Sequence, residues 1–221
     1  MAKRLFDVVG AALALIVTAP LLGLAAIGIK LTDPKGPVLF RARRVGYLGR
    51  EFTMLKLRTM TAGDGARITG LRDHRVTAIG KILRKTKIDE LPQLFNVLRG
   101  DMAIVGPRPE DPMIVRRHYE SPDLETLGVR PGLASPGSIY QYTAGDKLLT
   151  GTDPESRYVD KLLKTKLALD RVYIRGASFR KDLAIVGRTL LTIGAIAIGK
   201  RKFRPPPEMT AARRLLAEDG R

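Results

Sequence analysis

Apolar positions run unbroken from Val8 to Ile29, VVGAALALIVTAPLLGLAAIGI, 22 residues without a charge. As a straight helix this stretch reaches roughly 33 Å, enough to cross a bilayer core of about 30 Å. It is too long for the apolar core of a cleaved signal peptide, and the basic LFRARRVGYLGR that follows reads as part of a folded domain. Two features disfavour a plain spanning helix. Pro20 lies near the middle, where it removes a backbone hydrogen bond and bends the axis. Positive charge flanks both ends, with Lys3 and Arg4 before and Lys30, Lys35, Arg41, Arg43, Arg44 and Arg50 after, so charge placement keeps both ends in the cytoplasm. A re-entrant helix that enters the membrane, breaks at Ala19-Pro20 and returns to the same face satisfies both facts. The Thr18 hydroxyl then lies near a carbonyl freed by the break.

A second apolar run, LAIVGRTLLTIGAIAI at 183–198, is short and interrupted by Arg188, which predicts an amphipathic interfacial helix over about 180–199 rather than a span. A buried core helix is the competing reading. Lys200, Arg201, Lys202 and Arg204 would then rest on anionic headgroups at about 1 kcal/mol each. Between the two runs, the pattern predicts short strands at 37–41 and 51–58. It predicts helices at 78–85, Asp89–Arg99 and Ser156–Arg175. VRPGLASPGSIYQYTAGD (129–146), rich in Gly and Pro, reads as loop. RPPPE at 204–208 reads as a stiff boundary before a charged tail. The expected fold is α-rich α+β, with a re-entrant helix at 1–32, a compact cytosolic domain at 33–205 and a tail at 206–221.

Composition narrows the partners. Lys and Arg number 39 against 22 Asp and Glu, a net charge of +17, which implies nucleic acid, anionic lipid or phosphorylated substrates. Aromatics make up 5% and Trp is absent, so a stacking platform for single-stranded nucleic acid is poorly supplied. With no Cys, disulfides and thiolate metal sites are excluded.

The chemistry-bearing stretch is RKTKIDELPQLFNVLRGD, residues 84–101. One reading is structural: Asp89 as N-cap, Glu90 in the first turn, Pro92 tolerated there, and Leu91, Leu94, Phe95 and Leu98 as a buried stripe ended by Gly100. The other reading notes Arg84, Lys85 and Lys87 before the acids and Arg108 after them. Phosphoryl transfer needs cations for phosphate oxygens and a carboxylate that attacks phosphorus or holds Mg²⁺. Nearby positive charge would keep both acids ionised. The residues alone take the inference to phosphate chemistry on a membrane surface.

Five segments carry a resemblance further: KRLFD with the later Ala-Pro (3–20), GPVLFRARRVGYLGREFTMLKLRTM (36–60), IGKILRKTKIDELPQLFNVLRGDMAIVGPRP (79–109), VRPGLASPGS (129–138) and KLALDRVYIRGASFRKDLAIVGRTL (166–190). In this order they resemble the bacterial sugar transferases, the monotopic phosphoglycosyl transferase family. Two departures stand out. Ala19-Pro20 replaces the family's frequent Ser-Pro, and RPGLASPGSIYQY replaces a loop found in some relatives. The resemblance implies that Asp89 attacks the β-phosphate of a UDP-sugar, releases UMP, and passes the sugar phosphate to a polyprenyl phosphate such as undecaprenyl phosphate. It implies Mg²⁺ held by Asp89 and Glu90, with Glu90 as the alternative base. Arg84 and Arg108 would grip phosphate, and Pro107 and Pro109 would shape the nucleotide site. The implied setting is the cytoplasmic face of a bacterial inner membrane, where membrane lipids are partners and nucleic acid is not. The oligomeric state stays open, a homodimer included.

Several residues keep two readings. Asp101 suits a turn cap or a position behind the metal. Arg58 and Thr59 suit the site or a structural ion pair, while Arg41, Arg43 and Arg44 suit phosphate contacts or a membrane-facing surface. His74 and His118 lack a metal-ligand partner and read as solvated. The rival functions are a non-catalytic membrane-tethered basic scaffold and a nucleic-acid-binding protein.

Overall fold

The computed structural model describes residues 2–61, 75–148 and 154–220. His74 lies outside them. Helix α1 (Ala2–Thr32) is followed by the antiparallel hairpin β1 (Leu39–Val45) and β2 (Glu51–Leu57), paired from Leu39↔Leu57 to Val45↔Glu51. Helix α2 (Ala78–Thr86), a 3₁₀ turn at Ile88–Glu90 and α3 (Gln93–Arg99) come next. Then come β3 (Ala103–Val105), α4 (Pro112–His118) and a 3₁₀ stretch at Ser121–Gly128. Strand β4 (Gly132–Ala134) pairs parallel to β3 and leads into α5 (Pro136–Leu148). The chain closes with α6 (Pro154–Tyr158), a π turn at Val159–Leu163, α7 (Lys164–Arg175), α8 (Phe179–Ala197) and α9 (Met209–Asp219). The fold is helix-rich α+β.

Among the described residues, α1 is the one helix long and apolar enough to cross a membrane. It presents a narrow seam to the rest of the protein through Asp7, Ala11, Ala25 and Ile29, while Leu5, Leu13, Ile16, Val17, Leu24, Ile27 and Leu31 face outward. Both of its ends are tied to one body. Lys3 reaches Asp182 at 2.7 Å, Arg4 donates to the Val97 and Leu98 carbonyls, and the Asp7 carboxylate accepts from the Ile104 amide at 2.9 Å. At the far end Ala25 and Ile29 pack with Leu57 and Leu83. The helix continues without interruption through Ala19-Pro20, so the break expected there is not present. Thr18 donates to the Ala14 carbonyl at 2.7 Å. The carbonyl that Pro20 deprives of an amide partner belongs to Ile16, so Thr18 does not serve the break as its spacing suggested.

Several sequence expectations are corrected. Residues 129–146 are not loop-dominated, because their Gly and Pro punctuate elements. Pro136 opens α5, the Ser135 hydroxyl accepts from the Ser138 amide at 2.9 Å, and the Gly137 amide donates to Asp170 at 2.8 Å. Asp89 is not an N-cap: it sits in the 3₁₀ turn, and α3 begins four residues later. Phe95 leaves the expected stripe and is 47% exposed, whereas Leu94 and Val97 are buried. The strand expected at 37–41 extends to Val45, with Ala42 and Val45 inward and Arg41 and Arg43 outward.

Arg188 does not merely interrupt α8. Its guanidinium makes a bidentate pair with Glu208 at 2.6 and 2.9 Å. The segment read as a charged tail contains α9, whose Ala212 is fully buried against Ala168 and Leu169 of α7.

Candidate active site

The site forms where α2 ends. Lys87 takes a left-handed conformation (φ 58°, ψ 16°) and turns the chain into Ile88-Asp89-Glu90. This places both acids under the fold: Asp89 is 6% and Glu90 7% exposed. Asn96 fixes α3 beneath them, because its side-chain oxygen accepts from the Leu55 amide at 3.0 Å and its amide donates to the Thr53 carbonyl at 2.8 Å. Strand β2 is thereby held against the turn.

The two acids have opposite surroundings. Glu90 takes a bidentate contact from Arg108 at 2.7 and 3.0 Å, the Tyr142 hydroxyl at 2.9 Å and the Lys56 ammonium at 3.4 Å. A carboxylate offers about four acceptor positions, so Glu90 is saturated. Burial favours its neutral form, but Arg108, Lys56 and Lys87 outweigh burial and hold it well below the usual range. Asp89 differs: its buried Oδ1 has no partner in the protein. Burial, then the adjacent Glu90 charge, pushes it above the usual value against the pull of Lys56, Lys87 and Arg84. One acid is thus locked and ionised, while the other keeps a buried oxygen without a partner in the protein.

Of the residues expected from sequence, the structure brings Asp89, Glu90 and Arg108 together. Arg84 comes close enough to act on Asp89 electrostatically, and its Nε donates to Thr59 at 2.9 Å. Pro107 and Pro109 hold Arg108 on a loop beside Gly46 and Tyr119. That loop is anchored by Glu110, which ion-pairs with the fully buried Lys166 and accepts from Tyr158. Lys85 is exposed. Arg58 is structural, paired with Asp33, and Arg43 and Arg44 pair with Glu51 and Asp111. Asp101 accepts from Asn96 at 3.1 Å and closes the local turn. His118 is half-buried.

Sequence reasoning missed Lys56 and Tyr142. A lysine between Leu55 and Leu57 was the available signal, since both flanking positions are buried. Tyr142 lies in the segment misread as loop. Gln93, fully buried with both side-chain polar atoms lacking a partner, was also passed over.

No group of three or more metal-ligating side chains occurs among the described residues. Mg²⁺ commonly binds through one or two carboxylates plus substrate phosphates, and the unpartnered Asp89 oxygen fits that role. Glu90 fits it poorly, because a metal would have to displace one of its four donors.

An apolar groove of about 480 Å³ lies between α1 and the hairpin. Leu15, Ala19 and Leu22 line one wall, and Leu57, Pro92 and Phe95 the other. Pro92, on its lining, follows Asp89 by three residues along the chain.

The sequence profile described as bacterial sugar transferase matches residues 1–195. A UDP-glucose:undecaprenyl-phosphate glucose-1-phosphate transferase of Caulobacter vibrioides is 42% identical over 195 residues, covering 85% of this chain and 68% of that protein. A UDP-N-acetylgalactosamine-undecaprenyl-phosphate N-acetylgalactosaminephosphotransferase of Aeromonas hydrophila is 36% identical, covering 86% of this chain and 43% of that one. The exopolysaccharide production protein ExoY of Rhizobium meliloti is 36% identical, covering 86% and 84%. Matched over most of its length by the profile and by these relatives, the chain belongs to the bacterial sugar transferase family.

Proposed function

We propose that this protein transfers a sugar 1-phosphate from a UDP-sugar to a polyprenyl phosphate of the undecaprenyl type, at the cytoplasmic face of a bacterial inner membrane. In the first step an oxygen of ionised Asp89 attacks the phosphorus that bears the sugar. The bond to the bridging oxygen breaks, and UMP leaves with that electron pair. The polyprenyl phosphate then attacks the same phosphorus and returns Asp89 as carboxylate. The product is a polyprenyl diphosphate sugar, the opening intermediate of a membrane-assembled glycan.

One observation carries this reading: a buried carboxylate oxygen without a partner, close to Lys56, Arg84 and Lys87, beside a second acid that is fully occupied. Buried carboxylate oxygens without a partner are uncommon, and this one stands among cations beside an acid that is fully occupied. Arg108 and Lys56, oriented by Glu90, supply fixed positive charge for the diphosphate without reorganisation. Mg²⁺ bound at Asp89 would add neutralisation of phosphate charge. The tethering of both ends of α1 to one body supports a helix that enters and leaves the membrane on one face. The apolar groove supports approach of a lipid-borne acceptor to Asp89.

The experiment is UMP release from UDP-sugars in the presence of polyprenyl phosphate. Asp89→Asn is expected to abolish it, and Glu90→Gln to lower it substantially by loosening Arg108. Wild-type rates in Asp89→Asn would overturn the assignment.

A further inference from the structure

Lys87 and Tyr142 form a contact that the phosphate-gripping residues named above leave unused. The Lys87 ammonium stands 4.1 Å from the centre of the Tyr142 ring, within the range of a cation–π interaction. Among the described residues no carboxylate lies within ion-pairing distance of it. It nonetheless ranks among the charges that act on both Asp89 and Glu90. The Tyr142 hydroxyl is committed on both sides, donating to Glu90 at 2.9 Å and accepting from Arg108 at 3.2 Å. The ring is therefore fixed, and the lysine lies on it.

The backbone adds an independent observation. Lys87 is one of two non-glycine residues with positive φ among those described, at a helix end where glycine or asparagine is usual. A side chain retained against conformational preference, beside a reactive acid, is a sign of function. From this turn the ammonium rests on the Tyr142 ring, close enough to act on both acids.

We propose that Lys87 is a further phosphate-binding residue, one that rests on the Tyr142 ring and moves onto the diphosphate of the incoming nucleotide. A cation without a carboxylate partner can be donated to substrate without breaking an ion pair, unlike Arg108. Tyr142 acts as a positioning residue: it fixes the resting place of Lys87 and the orientation of Glu90. This rests on the proposed UDP-sugar chemistry.

The test is UDP binding to the full-length protein in detergent, measured by calorimetry. Lys87→Met is expected to weaken UDP about tenfold while uridine binding is unchanged, and Lys87→Arg to restore most of the affinity. Lys87→Gly separates function from folding: relief of the left-handed strain is expected to raise Tm, yet UDP affinity falls as in Lys87→Met. Unaltered UDP affinity in both Lys87→Met and Lys87→Gly would overturn the Lys87 assignment. Failure of the wild-type protein to bind UDP at all would instead sink the UDP-sugar reading itself.

Discussion

Asp89 and Glu90 share a turn, a depth and a chemical type, yet their partners drive them apart. In the proposed mechanism the attacking form is the carboxylate, so the acid limb of the rate profile should report Asp89. Burial and the Glu90 charge raise its pKa, so activity should begin to fall at a pH above that of an ordinary aspartate. Glu90 should stay ionised through that range, its low pKa set by Arg108 and Lys56 against burial. A kcat profile against pH, with Tyr142→Phe alongside, checks this. Loss of the hydroxyl should raise the Glu90 pKa and narrow the gap between the two acids. At this scale the sequence pointed to the two acids and Arg108, which the structure brings together, because charged residues clustered near two acids are visible in one dimension. It could not show that Glu90 is saturated and Asp89 is not. That difference depends on Lys56 and Tyr142, 34 and 52 residues away.

Helix α5 shows why an element was lost. Its first turn, Pro136-Gly137-Ser138, has the composition of a loop, and only tertiary contacts make it a helix start. Asp170 supplies one of them and stays fully buried. Burial raises its pKa to about 6, against the pull of the Gly137 amide and Lys166. A group with a raised native pKa binds its proton more tightly when folded, so stability should increase as pH falls from about 6 toward 4. Asp170→Asn, which mimics the neutral acid, should therefore stabilise the protein at pH 7.5 by about 1–3 kcal/mol. The gain should vanish near pH 4, and Tm measured across that window decides it. Gly137→Ala should act oppositely. Its Cβ would stand 2.7 Å from both Asp170 oxygens and from the Lys166 carbonyl, an overpacking worth about 1–3 kcal/mol. The hairpin and α2 were legible because alternation and a 3.6-residue stripe survive in their sequences. The β3–β4 pair was not, since three-residue strands carry no period to read.

For the whole molecule, the long apolar run and its symmetrical charge were the most informative features of the sequence. The structure adds that Lys3 and Ile29, at opposite ends of α1, touch the same body. Cysteines introduced at Ala2 and Lys35 should both react only with reagent supplied from the cytoplasmic side. Labelling of either from outside would identify a spanning helix instead. The arrangement of α9 on α7 could not be foreseen, because its apolar face is short and lies behind a proline run.

Gly106, just past β3, and Gly132, the first residue of β4, mark where these two paired segments run backbone against backbone. A methyl group on either would strike the other strand's backbone. Immediately beyond one lies the loop bearing Arg108, and beyond the other the start of α5 and Tyr142. The two arms that grasp Glu90 are therefore joined at their roots by backbone contact. Remodelling of α5 should be felt at Arg108 even where no altered residue touches it.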